Sequence, residues 1–264
     1  MRDSVFGGTP GHLNSEKFLL AVAKSFLNEG DVVVDAGANH GQHSRIFGDC
    51  VGLQGQVHCI EADPKLSRQL SEAAAQSDHQ IFVYNLALND GQVDKVIFFS
   101  HKTRDQEGSI FLREDISSYT ENSVDAASLD SLNLCNVKLV KIDVEGAEFD
   151  VLRGAQQTIQ KSKPLISVEL TRFGGNNVNY SPSEFLEIVD ILGCNLYNLT
   201  GEKIGLLDWM NKDFFMNHMN WIVVKESAAE SFIHSSMKNL AMSFCWGATD
   251  LVPYPFKLID HPIH

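Results

Sequence analysis

The sequence predicts an α/β fold: a doubly wound, mostly parallel seven-stranded sheet with helices on both faces, an extra strand or hairpin, and a C-terminal extension. Three observations lead there. Short apolar runs rich in Val, Ile and Leu alternate with helical patterns, as in parallel strands joined by helical crossovers. The run Asp31-Val32-Val33-Val34-Asp35 reads as a strand buried on both faces. It passes through Ala36-Gly37-Ala38-Asn39-His40-Gly41 into a helical stretch from Gln42. A glycine loop and a helix N-terminus therefore lie at the carboxyl edge of the sheet, where open α/β folds bind ligands.

The elements follow in order. Asn14 or Ser15 caps a helix to about Asn28, with Phe18, Leu19, Val22 and Phe26 on one face and Gly30 as its stop. The first strand is 31–36 and the second 56–61; Pro64 then opens a helix to about Gln76. Residues 81–86 form a third strand, Asn89-Asp90-Gly91 a turn, and 93–99 a further strand at the sheet edge or in a hairpin. Residues 101–128 are polar and weakly periodic and read as a long excursion, a lid over the site. Strands resume at 137–143 and 164–170, separated by a helix over 148–161. After a loop at 171–180, Ser181-Pro182-Ser183-Glu184 starts a helix to Leu192, and 194–199 and 220–224 are the last strands. A short helix near 228–242 and an irregular proline-bearing end complete the chain. The organisation is an N-terminal helical segment packing on the core (1–30), a main domain (31–225) and a C-terminal extension (226–264).

Composition narrows the function. The net charge of −13 argues against nucleic acid, whose binding rests on Lys and Arg, and against an anionic membrane surface. The five cysteines are odd in number and lack Cys-x-x-Cys spacing; Cys59 and Cys194 fall in strands, as small buried hydrophobes, which suits a reducing compartment. With no apolar run of 18 residues and no signal peptide at the start, a cytoplasmic protein without membrane insertion is expected.

The glycine loop has Asn39 where a dinucleotide fingerprint has its middle glycine, and its strand ends on Asp35. A carboxylate facing a pyrophosphate is unfavourable, whereas one facing a cation is favourable. S-adenosylmethionine (SAM) carries an ammonium and a sulfonium and no phosphate, and Asp35-Ala36-Gly37-Ala38-Asn39-His40-Gly41 is similar to the first motif of class I SAM-dependent methyltransferases. Glu61, with Ala62 beside it, ends the second strand, where an acid accepts both ribose hydroxyls of a bound nucleoside. Asp143, Glu145 and Glu148 cluster at a strand end and helix start; Glu148 suits a helix-capping role.

Around that cluster the chain resembles the FkbM family of methyltransferases. The residues are Leu139-Val140-Lys141-Ile142-Asp143-Val144-Glu145-Gly146-Ala147-Glu148 with Val151-Leu152-Arg153-Gly154-Ala155 after it, Ala127-Ser128-Leu129-Asp130-Ser131-Leu132 before it, and Asn85-Leu86-Ala87 with Asp90-Gly91. The resemblance spans about 31–169, and His40 departs from the aliphatic residue usual at its position. It implies a class I fold, SAM as methyl donor, and O-methylation of a hydroxyl on a sugar, polysaccharide or natural-product acceptor. It implies that Asp35, Gly37, Asn39 and Gly41 cradle the methionine part, that Glu61 holds the ribose, that Asn85 and Ala87 border the adenine, and that Asp143 lies near the methyl group, with Ala38 and Ala62 as further cofactor-binding positions.

An acceptor hydroxyl must lose its proton, and Asp143, Glu145, Glu169 and His40 are the candidate bases. Glu169 ends the strand next to that of Asp143, so the two could share a cleft and even hold a Mg²⁺ ion that acidifies the hydroxyl. Two other readings stand beside this one: an NAD-linked Rossmann oxidoreductase, and a non-catalytic SAM-fold module in a glycan or natural-product assembly. The acceptor and the oligomeric state are left open by the sequence.

Overall fold

The alternation of β-branched runs and amphipathic stretches produces two sheets in the computed structural model, which describes residues 19–20, 22–104, 108–112, 115–170, 182–198, 203–205 and 220–225. In chain order the elements are β1 (Val32–Ala36), α1 (Gln42–Val51), β2 (Gln56–Glu61), α2 (Pro64–Ala74), β3 (Gln80–Asn85), β4 (Ala87–Leu88), β5 (Lys95–His101), β6 (Tyr119–Ala127), β7 (Val137–Ile142), α3 (Glu148–Arg153), α4 (Gln156–Ser162), β8 (Leu165–Glu169), α5 (Pro182–Ile191), β9 (Cys194–Asn198) and β10 (Asn220–Lys225). Helical residues 19–20 and 22–26 precede them.

The main sheet has seven strands in the order β3-β2-β1-β7-β8-β10-β9. All pairs are parallel except those of β10, which runs antiparallel to both β8 and β9. Strand order reverses between β1 and β7, so this is the point where an open sheet leaves a crevice at its carboxyl edge. In that pair Asp35 stands opposite Lys141 and Ala36 opposite Ile142.

Alternation along β1 sends neighbouring residues to opposite faces, and each face has its own core. Val34 and Ala36 join Phe149, Phe185 and Trp221 on one side, while Val33 joins Phe26, Phe47 and Ile222 on the other. The helix starts follow local chemistry. Asp63 caps α2 by accepting from the amides of Lys65 and Leu66, with Pro64 in the first turn.

The structure departs from the sequence reading in three places. First, the 101–128 excursion contains a nine-residue strand, β6, which pairs antiparallel with β5 and parallel with β4 in a separate three-stranded sheet. Only Tyr119, Val124 and Ala126 of β6 are buried, so the strand shows few apolar residues to periodicity. Second, Ala87–Leu88, between the expected third strand and the Asn89-Asp90-Gly91 turn, is β4 of that sheet. Third, the helix at 148–161 is broken into α3 and α4 at Gly154, where a Cβ would lie 2.0 Å from the carbonyl oxygen of Asn89. Asp130 then caps α4 by accepting from the amides of Gln157 and Thr158, both at 2.8 Å. The expected cap at Asn14 or Ser15, the 171–180 loop, the 228–242 helix and the fifth cysteine, Cys245, lie outside the described residues. Cys50, Cys59, Cys135 and Cys194 are free thiols. Among the described residues no helix is long and apolar enough to cross a membrane.

Candidate active site

Gly37 joins the ends of β1 and β7. Its φ is +76°, and a Cβ there would stand 1.7 Å from the carbonyl oxygen of Asp143, so the position admits only glycine. The amides of Gly37 and Ala38 both donate to the carbonyl of Ile60 at 2.9 and 3.1 Å, and the amide of Asp143 donates to that of Ala36 at 3.0 Å. The glycine loop is thereby stitched to β2 on one side and to the β7 end on the other.

Glu61 completes the loop. Its Oε2 accepts from the amide of Asn39 at 2.7 Å and its Oε1 from the amide of Asp63 at 2.8 Å. Asn39 holds a left-handed φ of 51°, which asparagine tolerates. Burial pushes the Glu61 carboxyl up to about 7, outweighing the two amide hydrogen bonds.

Beyond β7 the chain makes an acidic turn. Glu145 takes a left-handed φ of 57° and Gly146 a φ of 114°. Two buried side chains hold this shape. Glu148 Oε1 accepts from the amides of Gly146 at 2.9 Å and Val144 at 3.3 Å. Ser109, in the segment between β5 and β6, donates its hydroxyl to the Glu145 carbonyl at 2.8 Å. Glu148 does act at a helix start, as its position suggested, but it caps the turn before α3. Burial raises its carboxyl to about 7.

These parts enclose a cleft of about 660 Å³, counting its open mouth. Its lining includes Gly37 and Asn39 of the glycine loop, Glu61, Ala62 and Asp63 at the end of β2 and just after it, and the apolar Ile60, Leu86, Ala87 and Leu88. Phe98, Gly108 and Ile110 of the small sheet and its connection add a further wall, and Asp143, Val144 and Glu145 the acidic end. Of the residues singled out from the sequence, Gly37, Asn39, Glu61, Ala62, Ala87, Asp143 and Glu145 thus meet in one cleft.

The others do not line it. Asp35 is fully buried: its Oδ2 accepts from the Ser44 hydroxyl at 2.6 Å, and its Oδ1 faces Lys141 Nζ at 3.6 Å. Ala38 is buried, and Gly41 starts α1 where a Cβ would meet Leu70 Cδ1 at 2.4 Å. The Asn85 amide group donates to the carbonyls of Glu61 and Ala62, both at 3.0 Å, shaping the cleft edge from behind. His40 is exposed. Glu169 is buried at the end of β8, and its charge bears on Lys141.

Lys141 is the residue the sequence reading passed over. Its Nζ lies 3.1 Å from Asp143 Oδ2 as well as 3.6 Å from Asp35 Oδ1, and its side chain is 4 % exposed. Burial pulls its pKa down, but Asp143, Asp35 and Glu169 together hold it above the usual lysine range. A lysine inside Leu139-Val140-Lys141-Ile142 was the available signal, because a buried ammonium requires anionic partners. Ser109, Phe98 and Ile110 were missed because contacts between a hairpin and a distant turn leave no local pattern.

The Mg²⁺ expectation finds no support. A hard cation needs several oxygen donors, and among the described residues no group of three or more His, Cys, Asp or Glu could hold a metal ion. The position beside Asp143 is instead taken by an ammonium.

A family model described as the methyltransferase FkbM domain matches residues 35–199. The chain belongs to the FkbM methyltransferase family. Its core is therefore that of a SAM-dependent methyltransferase, which decides against the NAD-linked alternative. Solved structures with a similar arrangement include an FkbM methyltransferase from Methylobacillus flagellatus (14 % identity, 75 % of this chain and 44 % of that one, TM-score 0.46). A putative rRNA methylase from Clostridium thermocellum matches at 13 % identity over 83 % of this chain and 96 % of that one, TM-score 0.47. A SAM-dependent O-methyltransferase from Thermotoga maritima matches at 12 % identity over 80 % and 64 %, TM-score 0.46. The FkbM-family chain thus spans less than half of the Methylobacillus protein. No curated protein matches it in sequence.

Proposed function

We propose that this chain transfers a methyl group from SAM to a hydroxyl of a sugar, polysaccharide or natural-product acceptor. The carrying observation is the cleft at the β1–β7 reversal, in which Glu61, an apolar side and two acids of the turn after β7 meet.

The residues fit the cofactor. Gly37 and Asn39 of the glycine loop line the cleft at the sheet edge, where a ligand meets their backbone. Glu61, held by two amides, keeps lone pairs for the ribose hydroxyls. Ile60, Leu86 and Leu88 offer an apolar bed for the adenine. Bound there, SAM would supply an electrophilic methyl group on a sulfonium.

The protein's part is then to align the acceptor and remove its proton. Alignment of reacting groups contributes roughly 7–11 kcal/mol to such a step. Asp143 and Glu145 line the acidic end and are the bases this reading favours, a role worth on the order of 10²–10⁴-fold. Glu169, away from the lining, supports the site through Lys141. The net charge of −13 favours neutral acceptors over polyanions.

The test is transfer of radiolabelled methyl from SAM to a panel of neutral sugar and polyketide alcohols, with product analysis by mass spectrometry. The expected product is a methyl ether. Binding of S-adenosylhomocysteine (SAH) without transfer to any hydroxyl would favour the non-catalytic module, and methyl on nitrogen or carbon would replace the O-methylation reading.

A further inference from the structure

The peptide unit between Glu145 and Gly146 is gripped at both ends. Its carbonyl accepts from the Ser109 hydroxyl at 2.8 Å, and its amide donates to Glu148 Oε1 at 2.9 Å. The same Glu148 oxygen takes the Val144 amide at 3.3 Å. Both gripping side chains are buried, and they arrive from different parts of the chain. Glu148 comes from the start of α3, and Ser109 from the connection between β5 and β6.

The grip holds a strained residue. Glu145 is not glycine, yet it sits at a left-handed φ of 57°, a conformation that costs about 1–2 kcal/mol. Such strain persists only where the surroundings impose it, and it gathers at functional sites. With the 145–146 peptide fixed, the backbone torsions on its two sides are fixed as well. The direction in which Glu145 leaves the backbone is thereby set beside the cleft that it lines.

The placement of Ser109 follows from register. Its backbone exchanges two hydrogen bonds with Phe99, at 2.8 and 3.1 Å. Gly108 and Ile110 on either side of it line the cleft, as does Phe98, whereas Ser109 does not. Alternation along an extended segment sends its side chain the other way, to the turn. A Cβ on Gly108 would lie 2.8 Å from the Phe98 ring, so the segment rests against that ring. One short stretch therefore both completes the apolar wall and holds the acidic turn.

We infer that Ser109 is a positioning residue for methyl transfer: through the 145–146 peptide it holds Glu145, the base, at a fixed distance from the wall of Phe98 and Ile110 on which the acceptor rests. This assignment rests on the O-methylation reading above and selects between its two acids. Asp143 already takes the Lys141 ammonium at 3.1 Å, whereas the bracing of the turn converges on Glu145. In the transfer the acceptor oxygen bonds to the methyl carbon, the sulfur–methyl electron pair stays on sulfur to leave SAH, and the hydroxyl proton passes to the Glu145 carboxylate.

The experiment is a double-mutant cycle on the full chain with Ser109→Ala and Glu145→Gln. Turnover is measured with SAM and the best acceptor of the alcohol panel above, SAH affinity by calorimetry, and exchange of the Gly146 amide without ligand. Glu145→Gln should lower kcat at least about 100-fold, the low end for a positioned base. Ser109→Ala should lower kcat about 10-fold, a fraction of what a misplacement of about 1 Å costs. It should leave SAH affinity unchanged and speed exchange at Gly146. In the Glu145→Gln background Ser109→Ala should cost no further kcat, because the group it positions is gone. Losses that multiply, wild-type kcat in either single variant, or unchanged exchange at Gly146 overturns the assignment. If Ser109→Ala fails to fold, Ser109→Cys, a weak donor of similar volume, takes its place in the cycle with the same expected signs. Wild-type protein that binds SAH but methylates no alcohol overturns the O-methylation reading itself.

Discussion

The hydroxyl of Ser109 donates to the backbone carbonyl of Glu145 at 2.8 Å, tying the connection between β5 and β6 to the acidic turn after β7. Ser109 is fully buried, and its own backbone exchanges two hydrogen bonds with Phe99. Ser109→Ala should therefore cost about 1 kcal/mol of stability, the net worth of one such bond. Amide exchange should accelerate at 143–147 more than in β1 or β2. Uniform acceleration across the chain would mean that the bond is not specific to the turn.

Gly37→Ala should be far more severe. The new methyl group would overlap the Asp143 carbonyl, which itself belongs to backbone that cannot swing aside. The ends of β1 and β7 must part, with loss of SAH binding and a lowered denaturation midpoint. Near wild-type affinity in this variant would show that the two strand ends are more pliable than their hydrogen bonds imply.

The two buried glutamates set a pH dependence. Burial holds Glu61 and Glu148 near 7, against an ordinary 4.5 in the unfolded chain. Between those values the folded state keeps protons that the unfolded state has released, so ligand-free stability falls as pH rises through the window. His58, whose pKa burial depresses, slopes the other way, so the variants carry the test. Glu61→Gln and Glu148→Gln should each flatten the decline in melting temperature. A decline unchanged in both would assign it elsewhere.

For Glu61 the ligand sees the opposite trend. The ionised carboxylate is the better acceptor for ribose hydroxyls, so SAH affinity should rise as pH passes through about 7. Glu61→Gln should weaken SAH by roughly 1.5–3 kcal/mol and remove that rise. A titration series with both proteins checks it.

Chelation separates the ammonium from a metal as the partner of Asp143. With Lys141 3.1 Å from Asp143, EDTA should leave both SAH affinity and methyl transfer unchanged. Loss of transfer restored by Mg²⁺ would return Asp143 to the role of metal ligand.

Much of this architecture is legible in the chain because its signals are local. The valine run before Asp35, the Asp63-Pro64 helix start and the Leu139–Ile142 strand each follow from neighbouring residues. Glu61 and Asp143 stand out for the same reason, as acids that end apolar strands. The hairpin strand β6 is hidden because solvent covers most of it, so polar residues suffice. The placement of Asp35 is hidden for another reason. A strand-end acid looks the same in sequence whether its cation is a ligand or a lysine on the neighbouring strand, and only the register of β1 on β7 distinguishes them.

The closeness of Gly37 to Asp143 also bears on how the protein comes to be folded. β1, β2 and β3 are consecutive neighbours and can pair as the N-terminal part of the chain emerges, but β7 enters only after the whole small sheet has been made. Closing so long a loop is slow compared with forming local contacts. A nascent chain ending before β7 has the glycine loop and Glu61 but neither the acidic end nor the hydrogen bond from Asp143 to Ala36. In refolding experiments, SAH affinity should accordingly appear with the β1–β7 pairing and lag behind the recovery of helix.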